Sequence, residues 1–517
     1  MRSPAGDPIV QASVTPHARS GHSIHDVDSI DATNVGDFEP DPERKRHAAR
    51  RLRALGFSVV DHGGPTLTVR GSKAQFERAF SGTLRERTRV LTTASGTARS
   101  ARFFHPHEST SPGLLAIKRS RHPELATVAR GLALAEPVQL FGEPSVTPPR
   151  VRYRHLTLPA QVAAALNTGA AHRAGITGTG ISVAICDSGC YPHPWFARHG
   201  NRVRVVLTPG ASSPDADEVG HGTVVAANLL SIAPGCTLTM IKMNFADDDD
   251  GFGHDAVPAL QTAYGLGAQI VNCSWGQSLS GPQGLKSAHM RTMEYSVAWL
   301  TARGRVIVCA AGNFPRSAPA SYGELGFPAQ HPDAIAIGGA MLTRKGGLKA
   351  ASYASGFQSP VYRSRVVPDV CGLCGDLPAG VLIMAPVQPG CIIDRAAAQR
   401  RYPLGDETGP EDGWSCVSGT SSAAPQVAGA AALVLQANPH LQHTTLMRAI
   451  LGVTARDVTR GSSNPRATRS GVGHRAHVGP DLATGTGLVD ASAAVAVAHL
   501  ILRLTSGRRA PVKVRRR

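Results

Sequence analysis

The feature that most constrains the fold is an alternation of strand-like and helix-like segments that runs from about residue 160 to residue 500. Short apolar runs such as Ile181–Cys186 alternate with longer Ala-rich stretches such as Ala428–Leu435. Successive strand–helix–strand units favour parallel strands whose two faces are both covered by helices. The sequence therefore predicts an α/β protein of three layers around a mostly parallel sheet.

A second, smaller α/β domain is predicted for residues 41–130. Asp41 followed by Pro42 is typical of the start of a helix. Two short strand candidates, Phe57–Val60 and Thr66–Val69, flank a Gly-rich turn. After them, Ser72 and Gln75 have the spacing of a capping box, which indicates a second helix.

Composition sets the remaining boundaries. Residues 1–40 are polar and turn-rich, which predicts disorder. Residues 131–160 contain Pro137, Pro144, Pro148 and Pro149 and are expected to form an exposed linker with a cleavage site. The large α/β domain is then expected over residues 161–500, followed by a basic tail at 501–517.

The charge of the chain is unevenly distributed. The formal net charge is +17, of which residues 1–135 carry +7 and residues 503–517 another +7. The intervening 367 residues carry only +3, so no nucleic-acid partner is expected there. The tail is either a solvated end or a segment that touches a polyanion, and the sequence leaves both open.

Membrane and targeting signals are not recognised in the sequence. There is no run of 18 or more apolar residues, so no membrane span is expected. The first thirty residues lack the apolar core of an ordinary signal peptide. Localisation stays open between the cytoplasm and secretion by an unrecognised route.

The nine cysteines do not have the density of a disulfide scaffold. Three of them lie in strand-like apolar runs, where a free thiol packs as a small apolar group. A single CxxC motif has no second pair, so no metal site is predicted from it. A disulfide in an oxidising compartment is the alternative, drawn from Cys371, Cys374, Cys391 and Cys416.

Three segments of the large domain carry residues suited to acyl transfer. The strand-like run 181–187 ends in Asp187, where a carboxylate can orient a histidine. Gly220-His221-Gly222 opens an Ala-rich helix. Ser421 lies at the mouth of a long apolar helix, where backbone N–H groups favour developing negative charge.

In this order and spacing, the three segments resemble the Asp, His and Ser motifs of the subtilisin family, over about residues 160–500. The resemblance implies a serine endopeptidase with Asp187, His221 and Ser421 as its catalytic triad and with no cofactor. Val224 departs from the family pattern, since many relatives carry a second His there. Structural calcium is compatible with the family, but its ligands cannot be matched to residues of this sequence.

Two further segments resemble the substrate-binding parts of that family. The run 308–313 resembles the strand that ends in the oxyanion asparagine, which implies that Asn313 donates its amide to the oxyanion. Residues 272–276 resemble the strand along which an extended peptide substrate pairs. The resemblance therefore implies substrate binding by residues of both segments, namely Ser274, Trp275, Gly276, Ala311 and Gly312, with Trp275 and Gly276 walling the first specificity pocket.

Residues 41–130 resemble, more weakly, the activation propeptides of subtilisin-like and sedolisin proteases. This implies a zymogen that cleaves itself within about residues 130–160, with two partners: a polypeptide substrate and its own N-terminal propeptide. A permanent accessory domain is the alternative. The acidic loop Asp247–Asp250 is interpreted as a solvated turn, a selector of basic substrate residues or a metal loop.

Three alternatives to a general subtilisin-like endopeptidase stay open. Sedolisins use a Glu and an Asp with the Ser and lack the His motif, so the Gly-His-Gly segment favours the subtilisin branch. A catalytically silent protein that only binds peptides would not react with a serine-directed fluorophosphonate. A maturation protease with one partner peptide would differ from a general protease in its cleavage of a random peptide library.

Overall fold

The computed structural model describes fourteen stretches of the chain: residues 7–92, 98–107, 111–140, 143–144, 155–245, 255–278, 287–313, 326–343, 345–359, 361–362, 364–375, 381–398, 408–464 and 473–506.

The N-terminal domain contains strands and short helices before residue 135. In chain order they are β1 (Ile9–Val14), a 3-10 turn (Val35–Phe38), α1 (Pro42–Ala54), β2 (Ser58–Val60), β3 (Leu67–Ser72), α2 (Lys73–Phe80), β4 (Leu84–Thr92), β5 (Ala98–Pro106), β6 (Leu114–Ala116), α3 (Pro123–Ala126) and β7 (Gly131–Leu134). Its antiparallel sheet has the order β2-β3-β1-β7-β6, and β4 with β5 forms a separate hairpin.

Local sequence signals account for both main helices of this domain. The Asp41 carboxylate accepts hydrogen bonds from the N–H groups of Glu43 and Arg44, as expected for the residue before a helix that starts with Pro. The Ser72 hydroxyl accepts the N–H of Gln75 at the start of α2. The predicted helix starts and the two predicted strands are therefore found in the structure.

The predicted disorder of residues 1–40 is wrong for the described residues 7–40. Strand β1 pairs along its whole length with β3, from Ile9 opposite Ser72 to Val14 opposite Leu67. Its inward side chains, including Ala12 and Val14, are fully buried. The polar composition of the first forty residues masked one short alternating strand, which is stable because the sheet and helices cover it.

The predicted exposed linker at 131–160 is also wrong over much of its described length. Residues 131–134 form β7, a buried strand of the N-terminal sheet. The chain continues through β8 (Gln139–Leu140), β9 (Glu143–Pro144) and β10 (His155–Thr157), which all pair with strands of the second domain. Pro144 lies within the two-residue strand β9 at the edge of its sheet, where proline is tolerated.

The second domain begins with β10 and contains most of the regular structure. Its remaining elements are α4 (Ala160–Ala165), α5 (Gly169–Arg173), β11 (Ser182–Asp187), α6 (Pro194–Arg198), β12 (Arg204–Leu207), α7 (His221–Ile232), β13 (Thr237–Lys242), α8 (Ala256–Gly265), β14 (Ile270–Cys273), β15 (Trp275–Ser278), α9 (Ala288–Ala302), β16 (Val306–Ala310), β17 (Gly326–Phe327), β18 (Ile335–Leu342), β19 (Leu348–Ala350), β20 (Phe357–Gln358), β21 (Val366–Val367), β22 (Val370–Leu373), β23 (Leu382–Pro386), α10 (Ile392–Ala398), β24 (Trp414–Ser418), α11 (Thr420–Ala437), a 3-10 turn (Pro439–Leu441), α12 (Thr444–Val453) and α13 (Ala491–Ser506).

The main sheet has the order β12-β13-β11-β14-β16-β18, with β19 and β22 both paired to β18. All of these pairs are parallel except β18 with β19. The central strands are in register, with Cys186 beside Cys273 and Cys273 beside Cys309. Because parallel strands share a carboxyl edge, the residues that follow them meet at one edge of the sheet.

Helices cover both faces of this sheet, which confirms the predicted three-layer α/β fold. The long apolar helix α11 packs along α7 and against the central strands, while α8 and α9 pack together as a second pair. Residues of α7 and α11 are almost all buried, as their continuous apolar sequences predict. The last helix, α13, extends to Ser506, so the domain runs six residues beyond the predicted boundary at 500.

All nine cysteines lie in the described stretches and none of them forms a disulfide there, so the alternative of a disulfide is not what the structure has. The strand cysteines 186, 273 and 309 are fully buried, as the sequence predicts. A search of the described stretches found no helix with the length and apolar character needed to cross a bilayer.

Candidate active site

Asp187 ends strand β11 at the carboxyl edge of the main sheet. The side chain is fully buried. Its Oδ1 atom accepts hydrogen bonds from the backbone N–H of Ser188 at 2.8 Å and from the Ser188 hydroxyl at 3.3 Å. The carboxylate is therefore held in one orientation by the residue that follows it.

His221 is the first residue of α7, directly after Gly220 in a left-handed conformation (φ 88°). Its Nδ1 atom lies 2.8 Å from Asp187 Oδ1, and only 4% of the histidine side chain is exposed. Since the carboxylate can only accept, the shared proton lies on Nδ1. The opposite ring atom, Nε2, has no hydrogen-bond partner within the described part of the chain.

The tight approach of two backbone segments explains the glycine after His221. A Cβ atom added at Gly222 would lie 2.1 Å from the carbonyl oxygen of Gly189. The turn that follows Asp187 and the first turn of α7 can therefore pack together only without a side chain at this position.

Ser421 is the second residue of α11. Gly419, directly before the helix, has a positive φ of 119°, a conformation that favours glycine. The Gly419 N–H donates to the Tyr353 hydroxyl at 2.7 Å, which fixes the turn before the helix. The Ser421 hydroxyl donates to the backbone carbonyl of Ser274 at 2.9 Å. In this conformation its proton is directed toward β15 rather than toward the free Nε2 of His221.

Asn313 follows strand β16 and lies against the start of α11. Its Oδ1 atom accepts the Thr420 N–H at 2.8 Å, which assigns the orientation of the amide. The Nδ2 group is buried, and no partner for it is found among the described residues. The Nδ2–H group of Asn313 is thus held next to Ser421, and it has no acceptor among the described residues.

The register of the sheet explains why these residues meet. Asp187 follows Cys186, and Ser274 follows Cys273, the neighbour of Cys186 on the adjacent strand. Ser421 then bonds to Ser274, and the preceding Thr420 bonds to Asn313. Residues 187, 221, 274, 313 and 421 therefore converge at one end of the central strands, although they are spread over 234 positions of sequence.

The other residues implied in substrate binding lie around this point. Gly276 is in β15, and Gly312 donates its N–H to the Thr420 hydroxyl at 3.2 Å. Ala311 is fully buried in the turn after β16. Trp275 is also fully buried, and its indole N–H donates to the Cys186 carbonyl at 2.7 Å. The indole ring of Trp275 thus packs in the core, while the backbone of Trp275 pairs with Leu140 of β8.

Asp217 is a buried carboxylate that the motif comparison missed. Its Oδ1 accepts from the Ser188 hydroxyl at 2.7 Å and the Gly220 N–H at 2.9 Å. Its Oδ2 accepts from the N–H and the hydroxyl of Thr223 at 2.8 and 2.6 Å. No local pattern marks Asp217, because the capping position directly before α7 is occupied by Gly220.

The four donors around Asp217 define its charge state. Burial raises the pKa of this carboxyl, and the nearby charge of Asp187 acts in the same direction. The bonds from Thr223 and Ser188 oppose that rise. Because the N–H groups of Gly220 and Thr223 each face one oxygen and cannot act as acceptors, the geometry favours the ionised carboxylate.

Two short strands from the chain's own N-terminal region pair with strands next to this site. Strand β8 pairs antiparallel with β15, with Leu140 opposite Trp275 and Gln139 opposite Gly276. Strand β9 pairs antiparallel with β24, with Glu143 opposite Ser418. The two pairings flank Ser421, since Ser274 precedes β15 and Ser418 lies three residues before the serine.

A buried ion-pair cluster holds the approach to β8. Glu136 is fully buried between Arg89 and His105, each 2.9 Å from one of its oxygens. Burial alone would raise the pKa of Glu136, but the hydrogen bond from His105 and the charge of Arg89 outweigh it and lower the pKa to about 2. The contacts of Glu136 with Arg89 and His105 therefore fix the end of the N-terminal domain just before β8.

The described residues do not form a candidate metal site. No group of three or more His, Cys, Asp and Glu side chains is arranged there to hold a metal ion. The acidic loop Asp247–Asp250 lies outside the described residues, so its three interpretations stay predictions.

The arrangement combines the groups that acyl transfer requires. A buried imidazole is oriented by a carboxylate and has one free nitrogen. A hydroxyl lies at the start of a helix, whose N-terminal dipole favours an anion. A buried amide N–H beside that hydroxyl has no partner among the described residues, and strand β8 pairs with β15, next to Ser274.

Comparison with known families gives a match over the second domain. The sequence model of the subtilase family (peptidase S8) matches residues 178–475, which is more than half of the chain. Alkaline elastase YaB from Bacillus sp. (strain YaB) is 31% identical over 274 residues, which are 51% of this chain and 57% of that protein. Subtilisin Savinase from Lederbergia lenta is 29% identical over 279 residues, which are 52% of this chain and 81% of the relative. The chain thus spans little more than half the length of the elastase.

A solved structure extends the likeness in fold to nearly the whole chain. Fervidolysin from Fervidobacterium pennivorans, a keratinolytic enzyme related to subtilisin, superimposes with a TM-score of 0.53 at 17% identity. The superposition covers 96% of this chain and 62% of that structure. At this identity the likeness concerns the fold alone, and it includes the N-terminal domain.

Proposed function

The chain belongs to the subtilase family, and on that premise we propose that it is a serine endopeptidase that hydrolyses peptide bonds through an acyl-enzyme. The observation that carries the proposal is the 2.8 Å contact between His221 and Asp187, next to a serine at the start of a helix. The fully buried carboxylate and the unpartnered Nε2 support a base that is oriented and ready to accept a proton.

The first step is attack by Ser421 on a peptide carbonyl. A rotation about the Ser421 Cα–Cβ bond turns the hydroxyl from the Ser274 carbonyl toward Nε2 of His221. The imidazole takes the proton as the Oγ–C bond forms, and Asp187 stabilises the imidazolium through Nδ1–H. The same proton then passes to the leaving amine as the C–N bond breaks. A water molecule releases the acyl group by the reverse sequence.

The negative oxygen of the tetrahedral intermediate needs donors where the charge develops. Asn313 supplies one, because Thr420 holds its Oδ1 and leaves the Nδ2–H group free. The Ser421 N–H, at the start of α11, supplies the second. All these proton transfers use protein side chains and water, so the proposed chemistry requires no organic cofactor.

We further propose that the protein is made as a zymogen and cleaves its own chain between Leu140 and Glu143. Two observations support this. The N-terminal region pairs with β15 as an extended peptide substrate would, and it pairs with β24 on the other side of Ser421. Only three peptide bonds separate Leu140 from Glu143, which narrows the interval of 130–160 expected from the sequence.

Intact mass measurement tests both proposals on the full chain. The wild-type chain should divide into an N-terminal piece that ends at residue 140, 141 or 142 and a peptidase piece. The Ser421→Ala chain should stay whole and should not react with a fluorophosphonate. Ser422→Ala, which removes the next hydroxyl along the same buried helix, is the matched control and should still be cleaved.

Different results contradict different parts of this proposal. Peptidase activity retained in purified Ser421→Ala protein would show that another residue is the nucleophile. An active wild-type enzyme that remains full length would exclude the zymogen and leave the N-terminal domain as a permanent accessory. Cleavage of a random peptide library then distinguishes a general protease from a maturation protease with one partner.

A further inference from the structure

Between β1 and α1, the N-terminal domain contains a segment whose apolar side chains pack in the core of the peptidase domain. Residues 18–40, here termed the anchor segment, connect β1 to α1 and lie against the second domain. Its apolar side chains Ile24, Ile30, Val35 and Phe38 are each at most 3% exposed. They are part of the contiguous core of the peptidase domain, whereas β1, α1 and α2 contribute to a separate core.

The end of the anchor segment packs on helix α9. The Phe38 ring lies edge-on to the ring of Tyr295, with 6.3 Å between centroids. The Tyr295 hydroxyl donates to the Phe38 carbonyl at 2.6 Å, and this tyrosine is fully buried. Burial raises the pKa of Tyr295, so the phenol stays a neutral donor. Arg303, just beyond α9, forms an ion pair with Glu39.

The middle of the anchor segment is bound by the turn before β18. His331 is fully buried, and burial lowers its pKa, so the ring is neutral. Its Nδ1 accepts the Asp333 N–H at 3.1 Å, which leaves the proton on Nε2. Nε2 lies 3.1 Å from the Ile30 carbonyl and donates to it. The Asp333 carboxylate in turn accepts the Ala32 N–H at 2.8 Å.

These contacts are costly to break. Departure of the anchor segment would leave the Tyr295 hydroxyl and the His331 Nε2–H without their acceptors and would expose the apolar surface beneath Ile30 and Phe38. Buried donors without partners and newly exposed apolar surface both oppose such a separation. The segment also lies about a hundred residues before the proposed cleavage site, so cutting there breaks none of its contacts.

We propose that the N-terminal piece stays bound after cleavage as a second chain of the enzyme, held by the anchor segment rather than by the strand in the cleft. This inference rests on the proposed self-cleavage for its biological setting. The partner of the anchor surface is thus a product of the same chain, bound through α9 and the turn that contains His331 and Asp333.

The test makes the cut independently of the enzyme's own activity. A recognition sequence for an external, sequence-specific protease is placed within residues 146–153 of the full-length Ser421→Ala chain. After cutting, both pieces should elute together in one-to-one ratio during gel filtration at micromolar concentration and separate only in denaturant. Because this cut does not need Ser421, the result can be read even if self-cleavage does not occur.

Two variants of the cut protein show which contacts hold the two pieces together. Ile30→Ala with Phe38→Ala should weaken association of the two pieces by at least about 100-fold, since each change leaves a cavity in a shared core. Gln139→Pro with Leu140→Pro removes the N–H donors of β8, and this protein should stay associated. The exposed pair Asp28→Ala and Ser29→Ala is the control within the segment and should change nothing.

Specific outcomes overturn the inference. Separation of the unmodified pieces at micromolar concentration would show that the anchor segment does not retain the N-terminal piece. Release by the β8 variant, with retention in the Ile30 and Phe38 variant, would show that the cleft strand holds it. A single thermal transition of each uncut variant confirms that the chain was folded before it was cut.

Discussion

Substitution of Asp217 by Asn is the most informative change near the active site. It keeps the size of the side chain, removes its charge and replaces one acceptor oxygen by an NH₂ group. The four donors on Asp217 come from Ser188, Gly220 and Thr223, each within two residues of Asp187 or His221, the proposed catalytic pair. We expect this variant to fold with reduced stability and to lose a large part of its activity.

The size of the effect follows from the hydrogen bonds. The two hydroxyl groups can rotate to accept from the new NH₂ group, but the backbone N–H of Gly220 or of Thr223 must face it. One buried donor without an acceptor costs about 1–3 kcal/mol. If that strain displaces the start of α7, the ring of His221 moves with it, and kcat should fall by about 10- to 100-fold.

The lost charge gives a second, independent signature. A carboxylate close to His221 stabilises the imidazolium that forms during attack. At an effective dielectric of about 20, two charges about 7 Å apart interact by roughly 2 kcal/mol before screening. Because removal of a negative charge disfavours the protonated form of the ring, the acid limb of kcat/KM should move to lower pH.

The assay is peptide hydrolysis between pH 5 and 10, together with the rate of self-cleavage by intact mass. Glu218→Gln is the matched control, because it removes a half-exposed carboxylate one residue further along, which pairs with Lys242. That control should leave the acid limb in place. A folded Asp217→Asn protein with normal kcat and an unmoved acid limb would refute the assigned positioning role.

Three further changes have defined outcomes. Asn313→Ala should lower kcat by about 10²–10³ with little change in KM, because one oxyanion donor is lost; steady-state kinetics check this, and an unchanged kcat contradicts it. Gly222→Ala should abolish self-cleavage, since its Cβ would lie 2.1 Å from the Gly189 oxygen, whereas Gly36→Ala meets nothing within 4 Å and should be neutral; intact mass distinguishes them. Glu136, with a pKa of about 2 in the folded chain, should contribute up to about 3 kcal/mol of stability above its unfolded pKa of about 4.5, and that contribution should be lost as pH falls toward 2. Unfolding midpoints that are equally pH-dependent in Glu136→Gln would exclude this.

Much of the N-terminal domain was predictable from local sequence. Asp41 and Ser72 are found at the helix starts that their side chains favour, because a cap depends on neighbours three residues away. Strand β1 was not recognised, since its six residues gain their stability from β3 and β7, which are distant in sequence. The paired strands β8 and β9 were missed for the same reason.

The sequence by itself determined the class of the second domain and the residue types of its site. Alternating apolar segments require a covered parallel sheet, and the residues around positions 187, 221, 313 and 421 have few other uses in that order. These signals are local, because each depends on a few neighbouring residues.

Only the tertiary structure decided which other groups support the site and what lies across it. Asp217 is defined by donors that come from Ser188, Gly220 and Thr223, and Trp275 is turned toward the core by a bond to the neighbouring strand. The anchor segment is polar on average, and its residues Ile24, Ile30, Val35 and Phe38 are buried because the peptidase domain provides a surface for them. Apart from the local bonds of Gly220 and Thr223, these contacts join residues that are tens to hundreds of positions apart, and no local pattern encodes them.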